Sequence, residues 1–319
     1  MNRVENSKPK HIIEAQQFSR QWLEDELFPL ADKMERELKE RNGMPDNILA
    51  GRGMISFFYE PSTRTRASFE IAIHKLGGNV IFSTENASDF SSVAKGETLE
   101  DTIRVLNRYR PDVIVLRSKN EGDAKRAADV SSVPIVNAGD GAGQHPTQAL
   151  LDIYTIYRKF GKIDGLSIAM VGDLAKGRTV RSLCYLLGKF VNIEIHFITP
   201  EGAEMREDII EYLSRHGVVI IAHDDLRDVA HRVNVIYQTR PQTERGTKFD
   251  LSEEAKKLYT VDQSVLAMMR EDSIVMHPLP RRTEITLEVD RDPRAVYLND
   301  QVDSGLFTRM ALLKMTICG

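Results

Sequence analysis

Cysteine is nearly missing from this sequence. Only Cys184 and Cys318 occur among 319 residues, too few for a disulfide framework and not spaced as metal ligands. A basic excess is missing as well. The chain has 43 Lys and Arg against 47 Asp and Glu, a formal net charge of −4, which gives no electrostatic case for nucleic acid. No apolar run approaches the ~18 to 20 residues of a membrane-spanning helix. The first segment, MNRVENSKPKHII, is polar and lacks the apolar stretch of a signal peptide. The G-x-x-x-x-G-K-[ST] phosphate loop is absent, which argues against the nucleotide-hydrolysing enzymes built on it. Gly139-Asp140-Gly141 hints at a dinucleotide fingerprint, but position 144 is Gln where that pattern needs Gly. There are no repeats and no low-complexity segments. What remains is a soluble globular protein of a reduced compartment, and the expectation is a cytoplasmic one without nucleic-acid or membrane partners.

What is present alternates. Apolar strand-like runs are predicted at Met54–Tyr59, Asn79–Ser83, Pro111–Leu116 and Val133–Ala138, and a second series at Leu166–Val171, Ile193–Ile198, Val218–Ala222, Val233–Tyr237 and Ser273–Met276. Helical stretches lie between them. Phe69, Ala72, Ile73 and Leu76 fall on one helical face that stops at Gly77-Gly78, and a long helix opens at Pro146 and ends before Gly161. This pattern predicts an α/β protein of two doubly wound domains, each a parallel sheet flanked by helices. The expected domains are residues 1–145 and 146–302. A C-terminal helix over 303–319 is expected to pack back on the first.

In open α/β sheets, ligands bind outside the carboxyl ends of the strands. Arg64, Arg117, Arg178, Arg240 and Arg281 each follow a predicted strand within a few residues, and His145 follows another. One such arginine would be a solvated side chain. Several at the same sheet edge, in an acidic protein, point to anionic ligands, because the guanidinium fork bonds phosphate and carboxylate in pairs. Ser62-Thr63-Arg64-Thr65 is the sharpest element. At a strand-to-helix junction its hydroxyls, its guanidinium and the first N–H groups of the helix would form a phosphate cradle, although simple capping by Ser62 or Thr63 is the plainer alternative. His145 stands either as a donor to a carbonyl oxygen or as a capping residue. His277, before Pro278-Leu279-Pro280, is better explained as a structural support for its loop. Residues 84–96 read as a polar irregular loop that could deliver Lys95 to a site.

STRTR at 62–66, SSVAKGE at 91–97, HPTQ at 145–148, GRT at 177–179, RPQTER at 240–245 and HPLPR at 277–281 together resemble the aspartate/ornithine carbamoyltransferase family. The resemblance spans nearly the whole chain. HPLP at 277–280 resembles the aspartate branch, where ornithine enzymes carry a cysteine, as do the Ser91–Lys95 stretch and Arg240-x-Gln242, which offers donors to a dicarboxylate where ornithine would need acceptors for an ammonium. The alternative acceptor is ornithine or another amino acid. A non-catalytic anion binder on the same scaffold would not need the whole set.

The resemblance implies a first domain for carbamoyl phosphate and a second for aspartate. Ser62, Thr63, Arg64, Thr65 and Arg117 would hold the phosphate. Thr65, Arg117 and His145 would donate to the carbonyl oxygen. Gln148, with the carbonyl oxygens of Pro278 and Leu279, would hold the carbamoyl NH₂. Arg178, Arg240 and Gln242 would bind the aspartate carboxylates, with Lys95 and Leu279 beside them. Ser91 and Lys95 would come from a neighbouring subunit of a homotrimer, alone or joined to regulatory chains or another enzyme of pyrimidine biosynthesis. The Leu279–Pro280 bond would be cis. No metal and no cofactor is implied.

Overall fold

The computed structural model describes residues 11–44, 46–242 and 252–319, and the structural statements below concern those residues. The chain divides into two compact units, Met1–Thr147 with Gly305–Gly319, and Gln148–Ser304. Cys184 is buried and Cys318 exposed, and both are free thiols.

In the first unit, β1 (Gly53–Phe58), β2 (Asn79–Thr84), β3 (Val113–Ser118) and β4 (Ile135–Asp140) form a parallel sheet in the order β2-β1-β3-β4. Every residue of β1, β3 and β4 is buried, which is why these strands read as near-continuous apolar runs. The edge strand β2 has no buried residue. Helices Thr63–Lys75, Leu99–Arg108 and Asp123–Val130 make the crossovers. Ile55, Phe57, Ile103, Ile114, Leu116 and Ile135 form part of one core cluster.

The second unit repeats the scheme with β5 (Ser167–Val171), β6 (Glu194–Ile198), β7 (Val219–His223), β8 (Val235–Gln238) and β9 (Ile274–Met276), parallel and ordered β7-β6-β5-β8-β9. Again the central strands are buried and the edge strand β7 is not. In both sheets the chain builds outward from a central strand, then crosses to its other side. The order therefore reverses between β1 and β3 and between β5 and β8, the points at whose carboxyl ends open α/β sheets bind ligands.

Several boundaries differ from expectation. β3 runs through Arg117, so this arginine belongs to the strand. β4 runs through Asp140 and takes in two residues expected in a turn. Residues 84–96 are not irregular: Ala87–Phe90 is a helical turn and Ser92–Lys95 a 3-10 turn. Ser91 makes the junction, donating its hydroxyl to Ala87 O at 2.6 Å and accepting from Val93 N at 3.2 Å. The helix Phe28–Glu40, not predicted, buries Phe28, Ala31 and Met34 on one face. The C-terminal helix begins at Asp300, a turn earlier than its apolar periodicity suggests.

Candidate active site

At the reversal point of the first sheet, β1 leads through Glu60-Pro61-Ser62 into the Thr63–Lys75 helix. Ser62 occupies the N-cap position, yet its side chain accepts no capping hydrogen bond, so simple capping does not explain the motif. Its backbone N–H donates to Glu85 Oε1 at 2.6 Å. Thr63 and Arg64 are exposed and Thr65 is buried. Hydroxyls and a guanidinium thus stand at the positive end of a helix dipole, the arrangement an oxyanion requires.

Register with β1 places Arg117 opposite Phe58, beside the start of that segment. Its Nη2 donates to Glu60 Oε1 at 2.8 Å and its Nη1 to Ala138 O at 3.2 Å, while its buried Nε has no partner. Glu60 was not among the sequence candidates, although it directly precedes the motif. His145, 4% exposed, follows β4 with its Nδ1 3.4 Å from Thr147 Oγ1. The turn before it is braced: Gln144 N donates to Asp140 Oδ1 at 2.7 Å, and Gln144 Oε1 accepts from Ala15 N at 2.9 Å. Lys95 is exposed at the end of its 3-10 turn.

At the reversal point of the second sheet, the ends of β5 and β8 are stitched together. Thr239 donates both its N–H and its hydroxyl to Val171 O, each at 2.8 Å. Gly172 has φ +108°, and a Cβ there would lie 2.3 Å from Thr239 O, so the close approach requires glycine. Asp173, 1% exposed, accepts from Lys176 N at 3.1 Å and Gln242 N at 3.0 Å, bracing the two loops against each other. Arg178 opens the helix Arg178–Leu187 and is buried. Arg240 is half-buried and donates to Pro241 O at 2.9 Å, and Gln242 Nε2 donates to Arg240 O at 3.2 Å. Positions 243–245 of the RPQTER motif lie outside the described residues.

After β9, the Leu279–Pro280 bond is cis, as the resemblance implies. His277 has the structural role expected of it. Its Nδ1 accepts from Leu279 N at 2.7 Å, which leaves the ring hydrogen on Nε2, 2.9 Å from Glu284 Oε1. Burial pushes the Glu284 carboxyl up, but His277 and backbone N–H groups outweigh it, and its pKa lies below the usual value. Arg281 departs from the anion-binding reading. It is paired with Asp290 at 2.5 Å and bonded to the Tyr297 hydroxyl at 3.1 Å, so it is an internal brace. Gln148 donates Nε2 to Asp152 Oδ1 at 2.9 Å. Asp152 and Asp173 escaped the sequence reading. The signal for Asp152 was its place one turn after Gln148 on the same helix face.

The two sets differ in chemistry. Hydroxyls, a helix start and guanidinium groups suit a phosphate, whereas Arg178, Arg240 and the Gln242 amide suit carboxylates.

Comparison with known proteins identifies the family. The family described as aspartate/ornithine carbamoyltransferase, carbamoyl-P binding domain, matches residues 10–158, and its Asp/Orn binding domain matches residues 164–316. The aspartate carbamoyltransferase of Arabidopsis thaliana, named chloroplastic, is 52% identical over 97% of this chain and 78% of its own length. The aspartate carbamoyltransferase catalytic subunit of Thermococcus gammatolerans is 45% identical over 97% of each chain. Trypanosoma cruzi aspartate transcarbamoylase, solved with carbamoyl phosphate and aspartate, superposes with a TM-score of 0.89 at 40% identity, covering 98% of this chain and 97% of its own. These findings correct the cytoplasmic placement. The plant relatives are named chloroplastic, and a polar composition with few cysteines describes any reducing aqueous compartment, a plastid as well as a cytosol. The chain belongs to the aspartate/ornithine carbamoyltransferase family.

Proposed function

We propose that this chain transfers the carbamoyl group of carbamoyl phosphate to the amino group of L-aspartate, giving N-carbamoyl-L-aspartate and phosphate. The observation that carries the acceptor assignment is the second reversal point, where Asp173 and Gly172 hold Arg178, Arg240 and Gln242 on braced loops. Guanidinium groups there attract a dicarboxylate and repel the ammonium of ornithine.

The chemistry follows from the donors. The amine lone pair of aspartate forms a bond to the carbamoyl carbon, and negative charge builds on the carbonyl oxygen. Thr65, Arg117 and His145 stabilise it as an oxyanion hole does. The bond between the carbamoyl carbon and the bridging oxygen breaks, and phosphate leaves with that oxygen and the electron pair, its charge offset by Arg64 and Lys95 and spread over the Ser62-Thr63 hydroxyls. The leaving phosphate takes up the amine proton. Catalysis rests on positioning and electrostatics.

Ser91 and Lys95 act in this reading from the adjacent subunit of a homotrimer. The support is local: Lys95 is exposed on a turn whose geometry Ser91 fixes. Purified protein given carbamoyl phosphate with L-aspartate or L-ornithine tests the acceptor, and product from ornithine alone would overturn it. Mixing inactive Arg64→Ala with inactive Lys95→Ala chains restores part of the activity if sites are shared. No recovery after mixed trimers are shown to form would refute sharing.

A further inference from the structure

Carbamoyl phosphate differs from an ordinary acyl phosphate by an NH₂ group, and only acceptors can recognise it. The carbamoyltransferase reading takes Gln148 and the carbonyl oxygens of Pro278 and Leu279 as those acceptors, and a buried hydrogen-bonded hub connects them. Asp152, fully buried on the Pro146–Phe160 helix, accepts Gln148 Nε2 at 2.9 Å and Gln301 Nε2 at 2.7 Å on Oδ1, and the Tyr237 hydroxyl at 2.7 Å on Oδ2. Burial first, and the Asp152 charge second, hold the Tyr237 phenol well above its ordinary pKa, so it stays a donor.

The other end of Gln301 reaches the loop after β9, where Gln301 Oε1 accepts from His277 N at 3.0 Å. His277 Nδ1 in turn accepts from Leu279 N at 2.7 Å. One unbroken chain of hydrogen bonds therefore runs from the Gln148 amide through Asp152 and Gln301 to the Pro278-Leu279 segment.

A carboxamide has a donor end and an acceptor end. A carboxylate can only accept, so Asp152 selects Gln148 Nε2 and leaves Gln148 Oε1 as the outward atom. We propose that Asp152 is a positioning residue that sets Gln148 and the Pro278-Leu279 carbonyls as acceptors, and so makes the site select carbamoyl phosphate over acyl phosphates lacking the NH₂. This rests on the carbamoyltransferase reading above.

The test compares equilibrium binding of carbamoyl phosphate and acetyl phosphate, whose methyl group cannot donate. Asp152→Ala frees the amide to turn. Its carbamoyl phosphate Kd rises about tenfold or more, the cost of losing an oriented acceptor, while its acetyl phosphate Kd holds. Asp152→Asn retains selectivity, because its amide oxygen still accepts both glutamines while its NH₂ faces the Tyr237 hydroxyl. In a Gln148→Ala background, Asp152→Ala causes much less further loss of selectivity. Equal weakening of both ligands, or an undiminished Asp152→Ala effect without Gln148, overturns the proposal. Should Asp152→Ala not fold, Gln148→Met must show the same selective loss, and wild-type-like selectivity in it overturns the proposal equally. A wild-type protein that binds no carbamoyl phosphate would instead sink the carbamoyltransferase reading itself.

Discussion

The two sheets reverse their strand order in the same way, and Arg117 and His145 at the first point are buried as Arg178 is at the second, yet the first turn of the helix after β1 is held differently from the loops after β5 and β8. In the first unit Thr63 and Arg64 are exposed on an uncapped helix start, a few consecutive residues on one local element. In the second, Arg178 is buried, and the loops bearing Arg178, Arg240 and Gln242 are braced by Asp173 and by a backbone approach that admits only Gly172. The first arrangement suits a small anion that brings its own charge to organise the donors. The second suits a flexible dicarboxylate, for which the protein supplies the order beforehand. Substitutions of the exposed Thr63 and Arg64 should therefore change function with little effect on stability. Those in the second should change both.

The largest expected effect breaks the first half alone. Arg64→Ala should lower kcat/KM for carbamoyl phosphate by about 10²- to 10³-fold, through lost phosphate binding as well as a lost transition-state donor, with the melting temperature unchanged because the side chain is exposed. Steady-state kinetics and a thermal melt check both parts. Next, Arg240→Ala should raise the KM for aspartate by about 10- to 100-fold through the lost charge-assisted hydrogen bonds. A titration should find its carbamoyl phosphate affinity unaltered.

Gly172→Ala sharpens the contrast in stability. The left-handed φ and the clash with Thr239 O should cost about 1–3 kcal/mol or more in denaturant unfolding, with a raised KM for aspartate. Gly122→Ala in the first unit, at φ +88° but with open space around it, should cost only about 1 kcal/mol and leave kinetics alone. The smallest effect is one of pH. Glu284 has a folded pKa below its ordinary 4.5, so it contributes stability that is fully present above that value and is lost as pH falls through the lower folded one. Glu284→Gln should flatten the acid limb of the stability curve, and an unchanged acid limb would show that the His277 pair does not set it.

The same contrast explains what the sequence could reveal. Ser62–Arg66 and His145–Gln148 are contiguous, and β1, β5 and β8 are apolar runs, so local pattern exposed them. The sequence also showed arginines after strands, but not which ones were already taken: Arg281 is paired with Asp290 and braces the fold. Asp173 acts on Gln242 and Asp152 on Gln301 across long stretches of chain, through contacts that periodicity does not encode. The 84–96 segment looked irregular because its order comes from one serine that bonds forward and backward, not from an apolar repeat.

The most direct test of the division between the two halves is calorimetric titration of carbamoyl phosphate into Arg64→Ala and Arg240→Ala. Binding should be lost in Arg64→Ala and unchanged in Arg240→Ala. Loss in Arg240→Ala with retention in Arg64→Ala would contradict that division.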